Sequence, residues 1–334
     1  MDTTDTSGSG TARMRPKVAV VIPAYRVAKQ IADVIRSLPP TITPIIVVDD
    51  CCPERSGDVA QAVADPRVEV LCHERNQGVG GALKTGIRRA LEHGPDVVVK
   101  VDGDGQMDIT QIPHLVAPLL SGRAAYTKGN RFWHERELGS MPVLRRIGNL
   151  GLSFLVKAAT GHWSLLDPTN GFVAARGDVL SSLRLELLAD DYFFEISLLI
   201  ELGKRGFRVR DVPMPARYGD EKSSLSVLRT LVTFPPRLFW GAVERFVARH
   251  FWFDFTPAAC FTLAGLPLLL FGAGFGLYHW MASVTQGQPA TAGTVMLAAL
   301  PFLTGFQLLL QAVGVDISVH LNNRVSPSSE AGDC

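Results

Sequence analysis

Residues 97–106 read VVVKVDGDGQ, and the fold follows from how this stretch is read. Three consecutive valines describe a strand buried on both faces, the kind found in parallel sheets covered by helices. The run stops at Asp102-Gly103-Asp104-Gly105-Gln106, where polar residues and glycines turn the chain. The same grammar recurs upstream. Val18–Ile22, Pro44–Asp49 and Val68–Leu71 are apolar runs of strand length, and helical periodicity fits near Lys29–Leu38, Gly57–Asp65 and Gly80–His93. Strands alternating with helices specify an α/β domain, its sheet largely parallel and covered on both faces.

Ligands of such sheets bind beyond the carboxyl ends of the strands. Those ends carry Pro23-Ala24-Tyr25, Asp49-Asp50, the Glu74–Gly81 segment and Asp102–Gln106. Carboxylates spaced i, i+2 just past a strand can chelate a hard cation from one side of a turn, with glycine permitting the bend. A lone D-x-D is also a common solvated turn; here it follows an apolar strand, and Gln106 adds another oxygen. Asp102, Asp104 and Gln106 are therefore candidate ligands of a hard divalent cation, which would neutralise a diphosphate. HERNQGVGGALKTG (73–86) superficially matches two phosphate-binding fingerprints, but Leu83 occupies the glycine position of both. What remains is a glycine-rich approach to a helix N-terminus, suited to close packing against a nucleotide or to a tight turn.

The 334 residues hold 33 Lys and Arg against 32 Asp and Glu, so no basic excess points to a nucleic-acid partner. The hydrophobic share is 47%, and its placement is uneven. Charged residues stop at Asp254 and resume at Asp316. Within that gap Phe261–Met281 and Gly293–Val315 are each long enough to cross about 30 Å of hydrocarbon, which takes roughly 20 helical residues. They read as two transmembrane helices; the alternative is a buried hairpin in a soluble core, which rarely lacks a charged face over such a length. Arg237, Arg245 and Arg249 precede the first span and Arg324 follows the second, which places both termini and the large domain in the cytoplasm. Between Leu225 and Phe253 apolar clusters alternate with arginines, and Pro235-Pro236 interrupts them; two short interfacial amphipathic helices are expected. The boundaries are then a disordered tail at 1–16, a catalytic domain at 17–222, the interfacial segment at 223–254, a transmembrane hairpin at 255–319 and a cytoplasmic tail at 320–334. The first residues lack the apolar core of a signal peptide. The five cysteines show no metal spacing and face a reducing compartment, so neither disulfide nor metal is assigned to them.

Seven segments in order now carry a resemblance: VVIPAY (20–25), VVDD (47–50), RNQGVGGALKTG (75–86), VDGDGQ (101–106), GNR (129–131), DPTNGF (167–172) and RYGDEKSS (217–224). Together they resemble the family 2 glycosyltransferases of GT-A fold, specifically the polyprenyl-phosphate glycosyltransferases of the dolichyl-phosphate-mannose synthase-like group. The resemblance implies a mixed Rossmann-like sheet and a UDP- or GDP-linked sugar donor. It places Pro23, Tyr25 and Asp50 at base and ribose, with Arg75, Gly78 and Lys84 nearby, and Asp102 and Asp104 on Mg²⁺ or Mn²⁺ against the donor diphosphate, with Gln106 as a further metal contact. Arg131 and Asp167 fall near donor sugar and acceptor, and Arg217 and Lys222 meet phosphate. Cys51-Cys52-Pro53-Glu54 replaces the family's usual glycine-serine after the paired aspartates, and the QxxRW motif of processive synthases is missing.

A hydroxyl acceptor needs a general base, whereas a lipid phosphate arrives anionic, its second ionisation lying near pH 6. The expected reaction is therefore metal-dependent displacement with inversion onto a membrane polyprenyl phosphate of undecaprenyl or dolichyl type. Asp104, Asp167, Arg131 and Asp191 form the expected catalytic set. Asp190-Asp191 serves equally well as an N-terminal cap for a helix at Phe193–Leu202. The alternative is a membrane-anchored transferase acting on a lipid or glycan hydroxyl, with Asp191 or Asp167 as base. Two spans per chain also leave room for a homo-oligomer.

Overall fold

The computed structural model describes residues 16–130, 143–167, 170–215 and 227–322. Four strands, β1 (Val18–Ala24), β2 (Ile42–Asp49), β3 (Val68–Cys72) and β4 (Val97–Lys100), run parallel, and β1 pairs with both β2 and β4. Helices α1 (Ile31–Ser37), α2 (Ser56–Ala62) and α3 (Gly78–Glu92) connect them, as the alternating pattern requires. After α4 (Ile112–Leu120) come β5 (Tyr126–Asn130), α5 (Val143–Thr160), β6 (Val173–Arg176), α6 (Gly177–Ser182), α7 (Phe194–Lys204) and β7 (Val209–Pro213). Strand β6 pairs antiparallel with β4, so the sheet is mixed; its order is β3-β2-β1-β4-β6-β5-β7. The central strands are the core: Ala19 to Ile22, Ile45 to Val48, Val97 and Val99 are solvent-free or nearly so. Helix α3 lies close on β1 and β2 because position 86 is glycine. A Cβ there would strike the Val21 side chain and approach Val48 Cγ2 to 3.1 Å.

The chain divides into two compact units, residues 1–127 with 171–191 and residues 128–170 with 192–334. The second unit contains α8 (Val227–Val247), a short π-helical stretch at Ala248–Phe253, α9 (Pro257–Gln286) and α10 (Ala292–Asn322).

The expected break at Pro235-Pro236 does not occur. Helix α8 runs through both prolines, and the change of helix type falls after Val247. Each proline forfeits one backbone hydrogen bond, and packing of α8 on α5 and α7 holds the helix together. Leu238 is buried, Phe234 meets Phe193 edge-on at 5.1 Å, and a Cβ on Gly241 would lie 2.5 Å from Ile200 Cδ1.

Helices α9 and α10 are each long and apolar enough to cross a membrane. Only 22% and 6% of their most apolar windows are buried, so neither is packed as a core helix of this chain. They approach each other along glycines. A Cβ on Gly305 would lie 2.6 Å from the Gly265 carbonyl oxygen, and one on Gly272 2.5 Å from the Phe302 nitrogen. Where helices have no hydrophobic force between them, such small residues admit backbone-to-backbone packing.

Candidate functional site

In the first unit the parallel register aligns the strand ends: Asp49 lies opposite Ala24 on one side and Cys72 on the other. Tyr25, just past β1, is exposed, and the Arg26 guanidinium sits 5.4 Å from its ring centre. The two aspartates after β2 divide their work. Asp49 is structural: its carboxylate accepts the Cys52 N–H at 2.7 Å and the Gly57 N–H at 2.5 Å, fixing the turn into α2. Asp50 is buried and accepts the N–H groups of Gln77 and Gly78, both at 2.8 Å, at the start of α3, while its Oδ1 meets His73 Nδ1 at 2.7 Å. His73 Nε2 continues to the Thr85 hydroxyl at 3.0 Å. A carboxylate offers about four acceptor positions, so Asp50 is largely committed to holding this loop. His73 is the residue sequence reasoning passed over; its signal was a position one residue beyond the end of β3. Next to it a hollow of about 520 Å³ is lined by Cys72, His73, Glu74, Arg75 and Gln77.

The glycine-rich loop resolves toward packing against the chain itself. The Gly80 and Gly81 N–H groups donate to the Asp190 carbonyl at 2.7 and 3.1 Å. A Cβ on Gly78, whose φ is +84°, would lie 2.6 Å from that same oxygen. Lys84 pairs with the Asp190 carboxylate and donates to the Leu188 carbonyl at 3.2 Å. With Asp50 and Asp190 meeting these donors, the α3 N-terminus is capped by protein groups. Leu83 is a core residue, which is why the phosphate fingerprints fail there. Helix α7 starts at Phe194 behind Phe193, whose side chain makes no cap bond, and of the Asp190-Asp191 pair Asp190 serves α3 and Lys84. Asp191 is exposed beside it.

Beyond β4, Gly103 is buried under Val27 and Ile22, and Gly105 takes φ +74°, which glycine adopts without strain. The turn so formed presents Asp102, Asp104 and Gln106, all partly exposed. Asp104 Oδ1 accepts the Gln106 N–H at 3.0 Å, and Asp102 Oδ1 already attracts a cation, Lys100 Nζ at 2.9 Å. Among the described residues no three His, Cys, Asp or Glu side chains converge on a metal position. Two carboxylates and an amide oxygen are hard but few donors, a set whose chemistry fits a divalent cation such as Mg²⁺ or Mn²⁺.

The altered Cys51-Cys52 loop is ordered by sulfur. Cys52 Sγ accepts the Arg26 N–H at 3.0 Å and lies 3.2 Å from Ser56 Oγ. Burial opposes ionisation of this thiol, but the hydrogen bonds from Ser56 and the Arg26 backbone prevail and hold it below its ordinary pKa. Cys72 moves the other way, raised by burial and by the charges of Asp49 and Asp58.

In the second unit Asp167 is fully buried. Asp211 of β7 stands by this segment, its Oδ2 accepting the Leu166 N–H at 2.7 Å. Burial pushes the Asp211 carboxyl up to about 6, and the Asp167 charge adds to this while hydrogen bonding to Leu166 and the Lys128 charge oppose it. Lys128, also fully buried, donates to the Asn170 carbonyl and lies 3.7 Å from Glu195. Arg131, Arg217 and Lys222 lie outside the described residues.

Residues 19–184 match the family model described as "Glycosyl transferase family 2". Among relatives, the chain is 29% identical over 216 residues to a UDP-N-acetylglucosamine–dolichyl-phosphate N-acetylglucosaminyltransferase of Methanococcus voltae, covering 60% of this chain and 86% of that one. It is 29% identical over 244 residues to an undecaprenyl-phosphate mannosyltransferase of Micrococcus luteus, covering 69% and 96%. Among solved structures, glucosyl-3-phosphoglycerate synthase of Mycobacterium tuberculosis, in complex with Mn²⁺, UDP and glucosyl-3-phosphoglycerate, superposes with a TM-score of 0.51 at 24% identity, over 69% of this chain and 80% of that one, which establishes likeness of fold. The chain is an enzyme of glycosyltransferase family 2, its family domain formed by the strands and turns that carry this site.

Proposed function

We propose that this enzyme transfers a sugar from a nucleotide donor to a membrane polyprenyl phosphate, with inversion and with a divalent metal. The carrying observation is the pairing, in one chain, of a family 2 domain bearing an aspartate turn beyond a parallel strand with two helices whose apolar faces are open. Two relatives named for transfer to dolichyl and undecaprenyl phosphate support the acceptor class.

The exposed Tyr25 ring offers a stacking face for the base, and Asp50 with His73 and Thr85 keeps the adjoining loop in shape. When bound by Asp102, Asp104 and Gln106, Mg²⁺ or Mn²⁺ supplies positive charge to the donor diphosphate. The acceptor phosphate oxygen forms the new bond to the anomeric carbon as the bond from that carbon to the diphosphate oxygen breaks, releasing nucleoside diphosphate. Two unit charges 4 Å apart at an effective dielectric of 20 repel by about 4 kcal/mol, so cationic side chains are needed, a role assigned to Arg131, Arg217 and Lys222. A phosphate nucleophile needs no base, consistent with the deep burial of Asp167. Exposed Trp240, Trp252, Phe253 and Phe255 near the start of α9 suit the headgroup region, and the arginines before the span support a catalytic domain on the cytoplasmic face.

The test is transfer by the purified chain from a panel of UDP- and GDP-sugars, with Mg²⁺ or Mn²⁺, to polyprenyl phosphate and to the matching polyprenol. Product on the phosphate alone supports the proposal. Product on the alcohol supports the hydroxyl-acceptor alternative, and no product from any donor overturns both.

A further inference from the structure

The second unit contains a buried ionic cluster that the chemistry above does not use. Arg245, near the end of α8, is almost solvent-free, as are His250 and Asp316. Its guanidinium grips the Asp316 carboxylate with two parallel bonds, both 2.8 Å, and Asp316 belongs to α10. The same guanidinium donates to the carbonyls of Ala159 at 3.0 Å and Ala158 at 3.1 Å, in the last turn of α5. Asp316 Oδ1 also meets His250 Nε2 at 2.9 Å, and His250 Nδ1 meets the hydroxyl of Thr256, the N-cap residue of α9, at 2.6 Å. One ion pair thus joins α5, α8, the π-helical stretch and both ends of the apolar hairpin. A guanidinium, with five donors in a planar fork, grips the carboxylate bidentately and still serves two carbonyls, four bonds where an ammonium has three donors.

What lies beyond α5 gives the cluster its meaning. The helix ends at Thr160, whose carbonyl packs so closely on Gly203 that no Cβ fits there. The chain turns at Gly161, φ +74°, and seven residues after Thr160 reaches Asp167. Leu166 in this segment is held by Asp211. The segment is thus held at Leu166 by Asp211, and its other end follows directly on the two carbonyls that Arg245 grips.

We propose that Arg245 is a positioning residue that fastens the apolar hairpin, through Asp316, to the α5 terminus and so sets the Gly161–Asp167 segment for the lipid acceptor. This rests on the reading of a polyprenyl-phosphate acceptor. The residues proposed to meet the donor base and diphosphate, Tyr25, Asp102, Asp104 and Gln106, are not members of the cluster, so its loss is expected to fall first on the acceptor.

Full-length wild type, Asp316→Asn and Arg245→Lys are compared in lipid nanodiscs. Asparagine keeps the shape of aspartate without its charge, and lysine keeps the charge without the fork. The measurements are KM for polyprenyl phosphate, KM for the nucleotide sugar, kcat, and donor Kd by calorimetry. Acceptor KM is expected to rise at least tenfold in Asp316→Asn and several-fold in Arg245→Lys, while donor Kd stays within twofold of wild type. Unchanged acceptor KM in both variants overturns the inference, as does a proportionate loss of donor and acceptor binding, the mark of a merely structural role. Should Asp316→Asn fail to fold, Arg245→Lys decides by the same criterion. Wild type that transfers nothing to polyprenyl phosphate refutes the acceptor reading itself, an outcome distinct from wild-type transfer with unaltered variants.

Discussion

Asp104 and Asp211 are both carboxylates near strands, yet their surroundings give them opposite characters. Asp104 is partly exposed on a glycine-bent turn and has one oxygen engaged by a backbone N–H, so it is ready to share a cation. Asp104→Ala is expected to lower transfer by at least about a hundredfold, the scale of a lost charge-stabilising group, with the melting temperature unchanged; full turnover would refute the metal assignment. Asp211 is buried, with its carboxyl pushed up to about 6. Its folded-state value exceeds the unfolded one, so the folded protein holds the proton more tightly. The stabilisation is complete below about pH 4 and is lost as pH rises through about 6. Asp211→Asn removes that dependence and is expected to be more stable than wild type above pH 6 by roughly 2–3 kcal/mol. Melting temperatures of the two proteins from pH 4 to 8 should converge at the acid end; parallel curves would contradict the assignment.

At the scale of elements, what the sequence made legible depended on whether an element is dictated locally. The four parallel strands and the helices between them follow from apolar runs and periodicity, and they stand within a few residues of the positions read from the chain. Helix α8 was not legible, because consecutive prolines oppose helix formation locally and the contacts that override them, Phe193 on Phe234 and Ile200 under Gly241, are remote in sequence. The loop at 76–81 was half legible: its glycines announced a close approach, but the approaching group is the Ala189–Asp191 backbone, a hundred residues away. Helices α9 and α10 make the same point through Gly305. Gly305→Leu drives a branched side chain into the α9 backbone and is expected to separate the pair. Cysteine cross-linking between the two helices, efficient in the parent and lost in the variant, measures this; retained cross-linking would show that the glycine contact is dispensable.

Across the whole molecule, a net charge of +1 conceals strong local organisation. The charge-free stretch between Asp254 and Asp316 accounts for much of the apolar excess, and its helices leave apolar residues such as Leu263, Leu270, Leu303 and Phe306 exposed. In the proposed topology only the short connection 287–291 reaches the far side of the membrane. A cysteine at Gln288 is expected to react with an impermeant maleimide added to intact cells, whereas one at an exposed position of the catalytic domain, such as Glu54, reacts only after permeabilisation. The reverse pattern would invert the topology.

The sequence by itself determined the parallel strands, the turn that carries Asp102, Asp104 and Gln106, and the two long apolar helices. Each is written in neighbouring residues, as periodicity, as glycine beside carboxylate, or as length without charge. Tertiary structure alone decided that Asp50 holds a loop through His73, that Asp190 caps α3 and occupies Lys84, that Asp211 sits beside the Asp167 segment, and that Arg245 reaches across 71 residues to Asp316. Hydrogen bonds and ion pairs between buried groups depend on where the fold places the partner, and no local pattern records a partner tens of residues away.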